Sequence, residues 1–169
     1  MTTKIRVAVV GAGLGGVAAA VKLKEAGIHD FMVFDRNQKV GGVWHENKYP
    51  GCCCDTPVAL YEFSFVSHMK LGDGMASAVW NETSNTWTLT TETGVEYEAD
   101  AVIAGMGQLN RPAYPDIEGR DTFKGPSMHS ARWDPNVSLK GKRVGVIGSA
   151  ASAVQLIPEV AKEAAHMTV

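Results

Sequence analysis

Three glycines, Gly11, Gly13 and Gly16, separate a run of aliphatic residues from a run of small ones, and an acid, Asp35, follows 19 residues after the last of them. That spacing suits the capture of a diphosphate-linked nucleotide. In a Gly-x-Gly-x-x-Gly turn the first glycine makes the bend, the second lets phosphate oxygens reach the backbone, and the third lets helix and strand pack closely. The phosphates would lie on the amides of Leu14, Gly15 and Gly16, where N–H groups without helical partners and the helix dipole favour negative charge. Asp35, with Arg36 beside it, falls where a carboxylate takes ribose hydroxyls. A carboxylate there disfavours a 2′-phosphate, which points to FAD or NAD ahead of NADP. The rival reading is a glycine-rich turn that only packs.

A second loop of the same kind, "GSAASA" from Gly148, is poorer, because Ala150 stands where the middle glycine admits phosphate. Dinucleotide binding by Gly148, Ser149 and Ala150 and plain strand–helix packing both stay open. Between the two loops lies "FKGPSMHSARWD", with Gly125, His129 and Trp133 at fixed intervals. No nucleophile or paired carboxylate sits beside His129, so a His and a Trp packed on one helical face are expected before any catalytic role, and no catalytic residue is assigned. The three cysteines are consecutive, Cys52 to Cys54, a spacing that suits neither a tetrahedral metal nor a disulfide framework.

These residues need elements to hold them. "KIRVAVV" reads as a buried strand, Leu14 to Ala26 as a helix capped at Gly27, and "FMVFD" as a second strand parallel to the first. Residues 40 to 65 look irregular. "SAVWNE", "TWTLTTE" and "VEYEADAVIAG" alternate apolar with polar residues as a three-stranded meander, with Trp80 and Trp87 as a cross-strand pair. The last of the three becomes continuously apolar at Ala101 to Ala104, as a strand entering the core would. "NRPAYPDIEG" is a proline-punctuated connection, after which "KRVGVIG" and its helix repeat the opening plan with their closing strand all but lost. Pro158 is expected to kink or interrupt that helix. The fold class is α/β: a Rossmann-like fold with a parallel sheet and a three-stranded β-meander, plus a truncated strand–helix unit of nucleotide-binding type.

At 169 residues and a net charge of -2, with no basic run at either end, the chain is suited to small-molecule partners and not to nucleic acid or an anionic membrane. No apolar run approaches the ~20 residues of a spanning helix. Lys4 and Arg6 before an apolar run imitate a signal peptide, but the glycines and the strand preceding them argue for a folded start, and consecutive cysteines that allow no disulfide framework make a reducing cytoplasm the expected home.

"GGVWHENKYPGCCCD", Gly41 to Asp55, resembles the Gly-Gly-x-Trp, Tyr-Pro-Gly, Asp pattern of Baeyer–Villiger monooxygenases, and "FKGPSMHSARWD" resembles their second fingerprint at Phe123, Gly125, His129, Trp133 and Asp134. These are FAD- and NADPH-dependent flavin monooxygenases, and the resemblance runs over nearly the whole chain. It implies that Gly11, Gly13 and Gly16 hold the FAD pyrophosphate and Asp35 its ribose. It also implies that Gly42, Val43 and Trp44 line the flavin region, that Asp55 and Tyr61 lie near the isoalloxazine, and that Ala104, Gly105, Met106 and Gly107 form a second FAD-contacting turn. Gly125, His129 and Trp133 would belong to a hinge between FAD and NADPH domains.

Departures from the family shape the remaining expectations. The family's catalytic arginine and substrate wall lie in parts that this sequence does not contain, and "MKLGDGMA" stands where a helical stretch is expected. "HM", "KL" and "AS" resemble the dipeptides that cloning sites leave, so the chain reads as a cut-down, natural or engineered, flavin-binding core. The expected organisation is a FAD domain over 1–115, shortened near 68–76, a linker over 116–140, and a partial second unit over 141–169 that docks on the first or on a second copy. The expected function is a redox-capable FAD module that does not complete ketone oxygenation, the alternatives being an NADPH-dependent monooxygenase or oxidase and an NAD-binding module without flavin.

Overall fold

The computed structural model describes residues 2–54 and 69–169. The chain divides into two compact units, Met1–His45 with Glu62–Asn110, and Glu46–Tyr61 with Arg111–Val169.

The first unit is a six-stranded sheet. Strand β1 (Thr3–Val10) runs into helix α1 (Leu14–Glu25), and β2 (Phe31–Asp35) returns parallel to β1 with Val7 opposite Phe31 and Val10 opposite Phe34. α1 ends where expected: the amides of Ala26 and Gly27 close on Lys22 and Lys24 carbonyls, and Gly27 takes a positive φ of 73°. A four-residue helix α2 (Val43–Glu46) follows, then β3 (Met69–Leu71). The meander is β4 (Met75–Asn81), β5 (Thr86–Thr91) and β6 (Glu96–Ala104), and the strand order is β3-β2-β1-β6-β5-β4.

β6 joins the two halves. Its first residues pair antiparallel with β5 while its length pairs parallel with β1, Val7 to Val10 facing Ala101 to Ala104. That apolar stretch reaches the sheet centre as expected, but Ala101 and Ala104 are exposed and Val102 and Ile103 only half-buried.

Two layers of apolar side chains hold this unit. Val7, Val9, Phe31 and Val33 pack on one face against Ala20 of α1. On the other, Ile5, Ala8 and Phe34 meet Leu89, Tyr97 and Ala99, with Met75 against them, so the meander curls over the sheet instead of extending it flat. Phe34 and Tyr97 meet edge to face at 4.8 Å, and Trp80 and Trp87 are the cross-strand pair the alternation predicts, 5.5 Å apart.

In the second unit, β7 (Arg143–Gly145) leads to α3 (Ala151–Ala161), and β8 (His166–Thr168) pairs parallel with β7. The unit is therefore closed: "HMTV" supplies the strand that the sequence reading all but discounts. Nor does Pro158 interrupt α3, which runs past it to Ala161. The proline brings no N–H for the Val154 carbonyl four residues back, and Leu156 and Val160, buried against Tyr49, keep the helix in place.

Candidate functional site

The Gly11–Gly16 turn sits at the C-terminal ends of the parallel strands β1, β2 and β6, the end at which α/β sheets bind ligands. Its backbone is packed to contact. Gly11 has a φ of +104°, and a β-carbon there would strike the carbonyl of Gly105. A β-carbon on Gly16 would collide with the carbonyl of Gly11. One on Gly105 would come within 2.9 Å of the Gly16 nitrogen. Three glycines thus allow the start of α1, the end of β1 and the end of β6 to touch backbone to backbone.

The other two glycines of the turn have room. A β-carbon on Gly15 meets nothing within 4 Å, and one on Gly13 meets only Gly42, at 3.6 Å. Gly13 is the N-cap of α1 and brings no side chain to cap it. The first amides of a helix have no acceptor within the helix, so this end offers donors with open space beside them.

Asp35 ends β2 beside that space. Its Oδ2 accepts the Ala12 N–H at 2.6 Å and its Oδ1 accepts the Asn37 N–H at 2.8 Å. Each carboxylate oxygen keeps a lone pair for a further donor such as a ribose hydroxyl. The Gly41 N–H donates to Ala12 O at 2.9 Å, and Gly42 approaches Gly13 closely, so Gly42, Val43 and Trp44 are brought to the same turn. Ala104 to Gly107 follow β6 into it, with Asn110 Nδ2 donating to Met106 O at 2.7 Å. Trp44 and Met106 are exposed. Gly11, Gly13, Leu14, Gly15, Gly16, Asp35, Gly42 and Gly105 thus lie together at the C-terminal ends of the parallel strands, and Arg36 follows Asp35. Asp55 and Tyr61 lie outside the described residues.

The second loop is built alike in its own unit. Gly148 has a φ of +117°, and Ala150 is the extended N-cap of α3 without a side-chain cap. Ser149 and Ala150 are exposed.

The His129 and Trp133 fingerprint corrects one expectation. The two residues do not share a helical face: both are extended, and Ser130–Arg132 between them is a single 3-10 turn. His129 closes that turn, its Nδ1 accepting the Ala131 N–H at 3.1 Å, so a neutral ring carries its hydrogen on Nε2. Tyr114 stands edge-on to the ring at 5.5 Å, with Arg120 over Tyr114 at 4.7 Å. Trp133 packs against the Tyr49, Leu156 and Val160 core, and Asp134 Oδ1 accepts the Asn136 N–H. A β-carbon on Gly125 would press on the Phe123 ring at 2.7 Å. Gly125, His129, Trp133 and Asp134 each have a local structural use, while Phe123 is exposed.

Two residues escape the sequence reading. Gln155 takes the Tyr49 hydroxyl at 2.9 Å on Oε1 and donates to Cys53 O at 3.0 Å, pinning the "YPGC" stretch on α3. Burial pushes the Tyr49 hydroxyl above its ordinary range. Asp73, within the "MKLGDGMA" stretch, is 5% exposed and hydrogen-bonded to Thr93. Neither has a local signal, since both partners lie far away in sequence.

Residues 9–70 match the model of NAD(P)-binding Rossmann-like domains, and residues 73–169, more than half the chain, match that of the pyridine nucleotide-disulphide oxidoreductases. A Baeyer-Villiger monooxygenase of Streptomyces coelicolor is 37% identical over 193 aligned positions, covering 97% of this chain and 37% of that protein. The chain belongs to the Baeyer–Villiger family of flavin monooxygenases. Cyclohexanone monooxygenase from Rhodococcus sp. Phi1 bound to NADP+ superposes with a TM-score of 0.88 at 33% identity, over 100% of this chain and 38% of that one. The OTEMO complex with FAD and NADP superposes at 0.84 and 29% identity, over 99% and 39%.

This chain therefore spans somewhat more than a third of the length of these relatives. Because 193 positions are aligned to a chain of 169, at least 24 positions in that alignment have no counterpart here. Among the described residues no helix is long and apolar enough to cross a membrane, and no group of three or more His, Cys, Asp or Glu is placed to hold a metal ion.

Proposed function

We propose that the strand ends of the first unit, around the Gly11–Gly16 turn, hold FAD. The observation that carries this reading is the uncapped start of α1 beside Asp35: open amides for a pyrophosphate and a carboxylate already fixed to Ala12 for a ribose. The room at Gly13 and Gly15, against the tight contacts at Gly11 and Gly16, fits a group that comes close to the turn on one side only. In this reading Leu14, Gly15 and Gly16 bind phosphate through their amides, and Asp35, with Arg36 next to it, grips the adenosine end. Gly42, Val43 and Trp44 on one side and Ala104 to Gly107 on the other flank the flavin end. When bound, FAD supplies two-electron redox chemistry, and the chain's part is to bind and orient it. Asp55 and Tyr61 remain assigned to the flavin by family resemblance.

The Gly148 to Ala150 loop is the place for NADPH in the same reading, supported by an uncapped α3 closed between β7 and β8. The Ala150 methyl is an obstruction there, so we assign NADPH the weaker site. The shortened connection near residues 68–76 is likewise our reading, supported by the alignment being longer than the chain and by one family match ending at Lys70 and the other beginning at Asp73.

An absorbance spectrum of the purified protein, followed by heat release and identification of the cofactor, tests the FAD assignment. A yellow protein releasing FAD supports it. A colourless protein that takes up no FAD on saturation but binds NAD overturns it in favour of a flavin-free module. Steady NADPH consumption by the FAD-loaded protein, with and without ketone, separates an oxidase or monooxygenase from a module that only holds flavin.

A further inference from the structure

The Gly72-Asp73-Gly74 joint links β3 to β4, and it lies where the end of β2 meets the turn between β5 and β6. Its backbone faces β2: the Asp73 N–H donates to Asp35 O at 3.0 Å and the Gly72 N–H to Asn37 O at 2.8 Å. On its far side Gly74 O accepts the Glu92 N–H at 2.7 Å. The Asp73 side chain, 5% exposed, faces the β5–β6 turn, where Oδ1 accepts the Thr93 N–H at 3.2 Å and Oδ2 the Thr93 hydroxyl at 2.8 Å, with Lys70 Nζ at 3.7 Å.

The hydroxyls are ordered in one direction. An ionised carboxylate only accepts, so the Thr93 hydroxyl must donate to it, and the hydroxyl hydrogen of Thr91, 3.1 Å from Thr93 Oγ1, is left to point to Thr93 or to Asp73 itself. Thr91, 1% exposed, in turn accepts the Val95 N–H at 3.1 Å. All donors in this chain point toward Asp73, an arrangement in which each bond strengthens the next.

We propose that Asp73 is a positioning residue for cofactor binding, holding the end of β2 so that the Asp35 carboxylate stays on the Ala12 N–H and presents its free lone pairs to the ribose. Asp73 does not touch the cofactor. It acts through one backbone bond to Asp35 and a buried carboxylate that anchors the joint to the opposite hairpin. The inference rests on the FAD reading for its functional half, while the claim about Asp35 geometry stands on the cofactor-free protein.

The experiment has two arms. In the cofactor-free protein, amide hydrogen exchange at Ala12 and Asn37 is compared between wild type, Asp73→Asn and Thr93→Val, with Val9 as a core reference. Faster exchange at Ala12 and Asn37 with Val9 unchanged is the expected result, and unchanged or uniformly faster exchange overturns the proposal. In the second arm FAD dissociation constants are measured for wild type, Asp73→Asn, Asp35→Ala and the double variant. Asp73→Asn should weaken FAD about tenfold alone and less than about twofold in the Asp35→Ala background, because coupled residues are not additive. Equal weakening in both backgrounds overturns it. If Asp73→Asn fails to fold, Thr93→Val, which keeps the backbone donor, carries both arms. If wild type takes up no FAD, the assigned function falls, and the exchange arm alone decides whether Asp73 positions Asp35.

Discussion

Asp35 and Ala12 are joined by a 2.6 Å hydrogen bond in which the backbone N–H of the glycine turn donates to the carboxylate that ends β2. The two halves of the candidate nucleotide site, phosphate turn and ribose acid, are thereby one mechanical piece. A hydrogen bond to a charged group contributes about 1.5–3 kcal/mol. Asp35→Ala removes the partner of Ala12 as well as the group offered to the ribose. Titration with FAD should show an affinity loss of about 10- to 100-fold. An unchanged affinity would mean that the adenosine end lies elsewhere.

The glycines of the turn predict a contrast that separates packing from binding. In Gly16→Ala the new methyl meets the Gly11 carbonyl in a rigid backbone contact, and overpacking of that kind costs about 1–3 kcal/mol or more. Gly15→Ala places its methyl in open space within α1, where alanine favours the helix over glycine by up to about 1 kcal/mol. Thermal unfolding of the cofactor-free proteins should therefore shift in opposite directions. A common shift would contradict the close approach of Gly11, Gly16 and Gly105.

Much of this arrangement is legible in the sequence, and the losses have a common cause. The glycine spacing, the Val-rich β1 and the alternation of "TWTLTTE" each reflect a local constraint, so the β1–α1–β2 unit, the meander and the Trp80–Trp87 pair follow from the residues themselves. β3 is three residues long, too short for any alternation, and is a strand because β2 offers it partners at Val33 to Asp35. β8 is the same case against β7. Asp73 and Thr93, and Gln155 and Tyr49, meet only through tertiary structure, and no spacing announces them. His129 and Trp133 show the converse: a four-residue interval permits a helix, but the hydrogen bond from Ala131 to His129 Nδ1 belongs to a 3-10 turn with extended flanks.

The second loop yields a prediction because its weakness is one methyl group. Ala150 is extended, with φ of -79° and ψ of -176°, and caps α3, a position where glycine is tolerated better than alanine. Ala150→Gly should thus leave stability within about 0.5 kcal/mol while opening the approach to the amides of α3. Calorimetric titration with NADPH should show tighter binding in the variant than in wild type. Equal binding, or none in either protein, would place the nicotinamide nucleotide away from this loop.

Acid should act on the first unit through Asp73. Burial works to raise its carboxyl, but the hydrogen bonds from Thr93 and Thr91 together with Lys70 outweigh it and hold the group below its ordinary value of 3.8. The folded state therefore binds this proton less readily than the unfolded chain does. The stability contributed is complete above the ordinary value and is lost as pH falls through the lower folded one. In Asp73→Asn that dependence disappears, because the amide does not titrate. Urea unfolding from neutral pH to below pH 3 should show wild type ahead of the variant near neutrality, with the gap closing on acidification. A gap of constant size across that range would mean that the Thr93 hydrogen bonds do not favour the charged carboxylate, and the directed chain from Val95 to Asp73 would have to run another way.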